Sequence, residues 1–400
     1  MKLNLSPPIW LIVIIAGIGQ LSETVYSPAL PTIAHALKVE AAWIEYTLTI
    51  YLLSFGLGTL FWGRLSDYFG RRLCVLAGLG VYILGSFGCY MSDSLYLLMI
   101  SRFVQGFGGS IGSVLAQAIC RDAFSGPALG KAYSSIVGAL AFFPAVGPII
   151  GGIITQKFNW PMIFIFLIFC GILIFLITVK KLPETLSTHQ KNLPSLSTVL
   201  CQLAKDQKVI GFGLLVAMCN GITFSYYAEG PFYLIELLGL SPSQYGTTFV
   251  LMAFSTIIGS LVSGKMQTRV DPLTIISYGL GVILLSNFLF FGSVLFKSIF
   301  HISKSGMLIL TIAFMMANMA GICVVTSNAL AISLKDYKHA IGTASSLFGF
   351  FYYIGISLCT FGVGLIHNGT LVPMPLYFLG LAVLMAGAFK MLKKPINLTS

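Results

Sequence analysis

The chain has 400 residues, 57% hydrophobic and 9% charged, with a mean hydropathy of +0.92 and a formal net charge of +11. Soluble domains carry about 25% charged residues, so this composition excludes a soluble fold. A bilayer span needs roughly 20 apolar residues, so the length suits about a dozen spans, and the positive balance is read as loop lysines and arginines that set orientation rather than a nucleic-acid surface.

Met1–Pro8 carries one lysine, and the apolar run after it lacks a small-residue cleavage pattern, so the first span is expected to stay in place. Apolar runs place spans near 9–30, 44–63, 74–92, 95–118, 132–155 and 161–179. A polar stretch, Lys180–Lys208, follows, with Pro183, Glu184, Ser187, Thr188, His189, Asn192, Pro194 and Ser195. Six further spans lie near 209–229, 245–264, 273–296, 306–333, 341–366 and 374–391, the run 306–333 being long enough for a tilt or a break. The expected architecture is an all-α membrane protein of twelve transmembrane helices in two six-helix bundles. Residues 1–180 form the first bundle, 181–208 a cytoplasmic central loop and 209–400 the second. The eight cysteines show neither metal-ligand nor redox spacing and read as small core residues.

Loop charge fixes the sidedness of this arrangement. With a cytoplasmic N-terminus, all but five of the 23 lysines and arginines fall inside; Lys38, Lys157, Lys297 and Lys304 fall outside, and Arg102 lies within a span. An excess of that size predicts both termini in the cytoplasm. The most charged stretch of the first third, Gly63-Arg64-Leu65-Ser66-Asp67-Tyr68-Phe69-Gly70-Arg71-Arg72, is then a tight cytoplasmic hinge between the second and third spans. A weak echo, Gly264-Lys265-Met266-Gln267-Thr268-Arg269-Val270-Asp271, occupies the corresponding place in the second half. Two related six-span halves are an arrangement of secondary transporters.

The hinge, as Gly63-x-Leu65-Ser66-Asp67-x-x-Gly70-Arg71-Arg72, resembles the signature loop of the major facilitator superfamily, and the resemblance extends over the whole chain. Tyr26-Ser27-Pro28-Ala29-Leu30-Pro31, together with Arg102-Phe103-Val104-Gln105-Gly106-Phe107-Gly108-Gly109 and Arg121-Asp122, resembles the Bcr/CflA-type drug exporters. Gly138 through Pro144, Gly147-Pro148 and Gly151-Gly152 look like the fifth-span motif of proton-coupled export. Members of that group usually have an aspartate near Glu23 and an arginine where Pro161 stands. The resemblance implies a contact from Asp67 to Asp122 through an arginine, a latch that holds the cytoplasmic gate and breaks when it opens.

The physical reading of these residues runs alongside. Asp67 suits either a helix N-terminus, where the dipole favours an anion, or a pair with Arg71 or Arg72; a plain positive-inside turn is the alternative. Closely spaced glycines in the fifth span allow another helix to approach at backbone distance, and Pro144 and Pro148 each remove a helical hydrogen bond. This packing is expected to seal the site from the cytoplasm in the outward-open form.

Burying a charge in a bilayer costs at least about 2.5–3.5 kcal/mol, which singles out the two ionisable residues well within spans, Glu23 and Arg102. Glu23 shares a helix face with Ala16, Gln20 and Ser27, and Arg102 shares one with Gln105 and Gly109. Each lies roughly 10 Å from the outer end of its span, so they can meet at one depth. Glu23 is expected to carry the proton and Arg102 to modulate it, the alternative being a permanent ion pair that fixes the first and fourth spans. Glu229 is a possible second acid at the outer end of the seventh span, or an interfacial carboxylate. Gln20, Gln105, Asn220, Tyr226, Tyr227, Met315, Asn318 and Tyr352 are candidates for an adaptable substrate cavity.

No phosphate-binding Gly-x-x-x-x-Gly-Lys-Ser/Thr occurs, so an ion gradient or the substrate's own supplies the energy. The expected function is a proton-driven antiporter exporting small amphipathic compounds, drugs included, by alternating access across a bacterial inner membrane. Its expected partners are a small-molecule substrate, protons and lipid, with no nucleic acid, no cofactor and no metal, and one chain is expected to suffice. Export of a native metabolite such as a siderophore or a sugar is the alternative. Scattered histidines and few acids argue against a membrane enzyme.

Overall fold

The computed structural model describes residues 6–186, 195–337 and 341–393. Ser187, Thr188, His189, Asn192 and Pro194 of the central connection lie outside the described residues, as do Lys2, Lys191, Lys338 and Lys394. The described residues are helical throughout, without strands.

The first half contains α1 (Ile9–Tyr26), α2 (Leu30–Leu37), α3 (Ala41–Phe69), α4 (Arg71–Tyr90), α5 (Leu95–Gly109), α6 (Ile111–Ala123), α7 (Gly126–Lys157) and α8 (Met162–Lys181). A short helix, α9 (Leu196–Lys205), stands in the central connection. The second half contains α10 (Gln207–Pro231), α11 (Pro242–Met266), α12 (Pro272–Leu295), α13 (Lys304–Ser333), α14 (Ile341–Ile366) and α15 (Pro373–Lys393). Counting α1 with α2 and α5 with α6 as single rods, eleven helices among the described residues are long and apolar enough to cross a membrane. Their outward faces carry Leu84, Phe169, Leu261, Phe288, Ile309 and Leu365, all well exposed. Apolar surface on this scale suits lipid rather than water.

Local chemistry explains the boundaries. A 3-10 turn, Ser27–Ala29, joins α1 to α2, with Pro28 and Pro31 at positions where the missing N–H costs no helical bond. Asp206, Ser241, Asp271 and Ser303 cap α10, α11, α12 and α13 through side-chain oxygens. Ser241 and Gln244 complete a reciprocal capping box. A π-helical turn, Phe232–Leu237, extends α10 beyond Pro231. The run 306–333 shows no break; α13 is one continuous helix of 30 residues.

Two expectations about connections are corrected. The hinge is not a loop, because α3 continues to Phe69 and α4 begins at Arg71, leaving Gly70 alone to reverse the chain. Gly70 has φ +95°, a conformation that penalises any side chain, and an added Cβ would lie 2.5 Å from Glu184 Oε2. The central connection is not wholly polar either: Val199 and Leu203 of α9 are buried against Ala344, Leu347 and Phe348 of α14. Their i, i+4 spacing puts both on one face of a short helix.

The apolar core falls into two large clusters. One gathers side chains of α1–α8, and the other gathers those of α10–α15 together with Leu48, Tyr51, Leu52 and Phe55 of α3. The halves meet mainly where α3 packs along α14 and α7 along α11. Of the two ends of the molecule, one carries the Gly63–Arg72 hinge and α9; the other carries Lys38, Glu45 and Lys157.

Candidate functional site

Arg102 is fully buried, yet no carboxylate comes within ion-pairing distance of it among the described residues. Its guanidinium lies between two aromatic rings, 4.3 Å from the centroid of Tyr26 and 4.1 Å from that of Tyr51. Nη1 donates to Gln105 Oε1 at 2.6 Å, and Gln105 Nε2 donates to Ser86 Oγ at 2.8 Å. The rings are themselves fixed: Tyr51 donates to Gly19 O at 2.9 Å, and the Tyr26 hydroxyl meets Thr47 Oγ1 at 2.7 Å. Two faces of π-density and one amide oxygen thus replace a counter-ion. The expected Glu23–Arg102 ion pair is not formed in this conformation.

Glu23 is 1% exposed, and its Oε1 accepts no hydrogen bond. Its charge reaches Tyr51 of α3 and, across the boundary between the halves, Tyr227 of α10 and Tyr352 and Tyr353 of α14. One turn on, Ser27 Oγ lies 2.6 Å from Tyr227 O and 3.0 Å from Tyr245 Oη, tying α1 to α10 and α11.

Two cavities lie between the halves. One of about 340 Å³ is bordered by Gln20, Gln117, Arg121, Ser346, Phe348 and Tyr352, on the hinge side of Glu23. The other, about 210 Å³, is bordered by Pro144, Asn220, Tyr227, Phe249, Met252 and Met319. Of the cavity candidates, Gln20, Asn220, Tyr227 and Tyr352 therefore line open space. Gln105, Tyr226, Met315 and Asn318 border neither of these two cavities and are fully buried. Gln105 is held by Arg102 and Ser86, and Asn318 exchanges two hydrogen bonds with Asn287, at 2.8 and 3.0 Å.

At the hinge, Arg71 gathers the charges. Its Nη1 bonds Asp67 Oδ1 at 2.7 Å and Nε bonds Asp122 Oδ2 at 2.8 Å, joining α3, α4 and α6. Glu184, which sequence reasoning did not select, caps α4 by accepting from Arg71 N at 2.8 Å and Arg72 N at 3.1 Å. Arg72 forms no carboxylate pair through its side chain; it donates to Val179 O. Asp67, Arg71 and Asp122 belong to the first half, and Glu184 to the central connection. Gly63 is the hinge residue that touches the second: an added Cβ would stand 3.1 Å from Ser346 Oγ of α14. At the echo in the second half the chemistry is neutral, with Gln267 donating to Asn328 and Asn328 donating to Ser263.

The fifth-span glycines pack at backbone distance. Added Cβ atoms would lie 2.0 Å from Thr24 Oγ1 at Gly147, 2.0 Å from Val25 O at Gly151 and 2.3 Å from Pro242 O at Gly152. Pro148 O approaches Gly246 of α11 equally closely, so α7 is wedged between α1 and α11. Pro144 borders the smaller cavity, whereas Gly138 meets nothing within 4 Å. The close contacts lie at the end opposite the hinge, in the later turns of α7.

A second polar cluster joins Glu229, the possible second acid, to two residues not singled out from the sequence, Glu45 and His367. Glu45 of α3 and Glu229 of α10 are also buried, at 0% and 1% exposure. His367, just beyond α14, places Nδ1 2.8 Å from Glu229 Oε2 and 3.5 Å from Glu45 Oε1. The bond to Glu229 raises the His367 pKa above its ordinary value against the effect of burial. Position in the apolar run at the start of α3 was the available signal for Glu45; nothing local marks His367.

A helical membrane body whose buried charges and cavities lie between two packed halves defines a multi-pass transporter rather than an enzyme. The chain belongs to the Major Facilitator Superfamily, whose family model matches residues 12–360. It is 32% identical over 396 residues to an "Uncharacterized transporter" of Rickettsia bellii, covering 97% of both chains. It is 30% identical over 330 residues to the "Bicyclomycin resistance protein homolog" of Haemophilus influenzae, covering 81% of this chain and 80% of that one. It is also 26% identical over 274 residues to "Multidrug resistance protein D" of Escherichia coli, covering 66% of each. These relatives accord with the Bcr/CflA-type resemblance. Among solved structures, the xylose transporter XylE of E. coli, in a partially occluded inward-open conformation, superposes with a TM-score of 0.74 at 11% identity, covering 98% of this chain and 99% of that one.

Proposed function

We infer that the protein is a proton-driven antiporter that exports small amphipathic compounds, drugs included, across the bacterial inner membrane. It has twelve spans, with α7 as the twelfth, and both termini in the cytoplasm. The bias of lysine and arginine towards the hinge end supports that orientation. The pairing of α3 with α14 and of α7 with α11 also fits two repeats. A two-fold axis relating each span to the one six later exchanges those pairs.

The observation that carries the reading is Glu23: a buried carboxylate with an unbonded oxygen, one turn from Gln20 of the larger cavity and within electrostatic reach of Tyr227 of the smaller one. Arg102, held separately by Tyr26 and Tyr51, leaves that carboxylate free to exchange a proton while stabilising its charged form at longer range. Substrate occupies the cavity on the cytoplasmic side of Glu23, against Gln20 and Tyr352, and the halves rock about this site. The Asp67–Arg71–Asp122 cluster braces the hinge, presenting Gly63 to α14 when the cytoplasmic side closes. Glu229 serves the outer end, and one chain holds the complete pathway.

The test is substrate-driven proton movement in proteoliposomes. Glu23→Gln should abolish it while leaving substrate binding measurable. Undiminished coupling in that variant would remove Glu23 from the mechanism.

A further inference from the structure

Glu45, Glu229 and His367 come from α3 of the first half, from α10 and from the loop after α14 of the second, and meet at the end opposite the hinge. One donor atom from each lies within 4.8 Å of the others. Their charges do not balance, since two buried carboxylates face a single imidazole. Neither oxygen of Glu45 accepts a hydrogen bond, although its side chain is wholly buried and directed at His367. A buried carboxylate that accepts no hydrogen bond and shares its one neighbouring imidazole with a second buried carboxylate is costly enough to require a further cation or a proton.

We propose that these three residues form a binding site for a divalent transition-metal ion of the zinc class, which bridges the two halves of the transporter. One imidazole nitrogen and two carboxylate oxygens are donor types zinc accepts, and three protein ligands with a fourth position left to water match the ligand count of an open zinc site. Tetrahedral ligands at about 2.0–2.1 Å from zinc stand roughly 3.3 Å apart. The distances from His367 Nδ1, 2.8 and 3.5 Å, bracket that spacing. The imidazole nitrogen among the donors favours zinc over magnesium and calcium, which are bound through oxygen.

The surroundings hold the donors in place. Gly364 leaves room for Glu45, since an added Cβ would be 3.3 Å from Oε2. Phe232, at the start of the π-helical turn, lies edge-on to His367 with ring centroids 5.6 Å apart. The His367 side chain keeps 16% exposure, which gives an ion its route from solvent. An ion bound there ties α3 to α10 and α14, so its effect is to hold this end closed.

Zinc binding is read on the full chain, purified in detergent and stripped with chelator, so the test is independent of the export reading. Titration with Zn²⁺ should give one site per chain by calorimetry and a rise in unfolding temperature, whereas Mg²⁺ should give neither. Glu45→Gln and His367→Ala should each weaken Zn²⁺ at least about tenfold, the least expected from outer-shell losses alone. Each variant is first shown to elute as the parent does and to unfold cooperatively in chelator. His367→Cys should restore binding and shift preference towards Cd²⁺, a gain that a merely structural histidine does not produce. Equal Zn²⁺ affinity in parent and variants would overturn the site. So would stabilisation of the parent by protons alone, with no response to Zn²⁺.

Discussion

Arginine buried in a membrane protein is expected beside a carboxylate, and Arg102 instead lies between Tyr26 and Tyr51 with Gln105 at its edge. That arrangement separates the buried cation from Glu23, so each can change state without breaking a direct bond to the other. At Gly70 two independent demands meet, a left-handed backbone and the space taken by Glu184. Gly70→Ala should cost at least about 1 kcal/mol from the backbone alone, with more from the displaced Glu184. In a thermal-unfolding comparison, adding Glu184→Ala should recover the second part and not the first; full recovery would leave no backbone strain at Gly70. His367 gives a pH prediction. Because its bond to Glu229 raises the folded pKa, its stabilisation is fully present below the ordinary histidine value and is lost as pH rises through the higher one. With chelator present, the parent should lose unfolding temperature over that window relative to His367→Gln. Parallel pH curves would show that the pair contributes nothing.

Among the elements, α7 shows how one helix serves two faces. Gly147 and Gly151 admit the backbone of α1, and Gly152 admits that of α11. Overpacking of this kind costs about 1–3 kcal/mol, so Gly151→Ala should lower stability and transport together. Gly138→Ala should instead be neutral or mildly stabilising, because its Cβ meets nothing and alanine favours the helix. Equal effects of the two substitutions would mean that helix propensity, not close approach, decides this span. The hinge and its echo make a second comparison. Arg71 joins carboxylates on two neighbouring helices in the first half, whereas neutral Gln267, Asn328 and Ser263 make the corresponding connection in the second. The repeat keeps the place of the contact and changes its chemistry.

Across the whole molecule, contacts between the halves concentrate at the end away from the hinge. There Ser243 N donates to Gln156 Oε1 at 3.3 Å, His35 Nε2 meets Glu236 Oε1 at 2.9 Å, and the Tyr46 and Phe361 rings stand 4.9 Å apart. The larger cavity lies towards the hinge, bordered by Arg121 and Ser346. In this arrangement the end away from the hinge is shut. Cysteines at Gln156 and Ser243, introduced after removal of the native cysteines, should therefore form a disulfide that arrests transport until it is reduced. Continued turnover in the oxidised protein would mean that this end need not open.

Composition and periodicity were sufficient for the helical membrane class, the placing of nearly every span and the charge asymmetry of the connections, because each depends on apolar runs and local charge. The Gly63–Arg72 and fifth-span motifs were legible for the same reason: turn geometry and helix packing are written in contiguous residues. Two helical features exceeded the apolar runs, the continuation of α3 to Phe69 and the helix α9, since helices extend into polar sequence wherever caps or buried neighbours support them. What the chain order did not carry was partnership over long separations. Glu184 reaches the start of α4 from 113 residues away, Arg102 finds Tyr26 and Tyr51 instead of Glu23, and Glu45, Glu229 and His367 meet only when the two halves close on each other. A buried charge announces itself in sequence by its cost, but its counterpart is chosen by packing, and only the tertiary structure makes that choice.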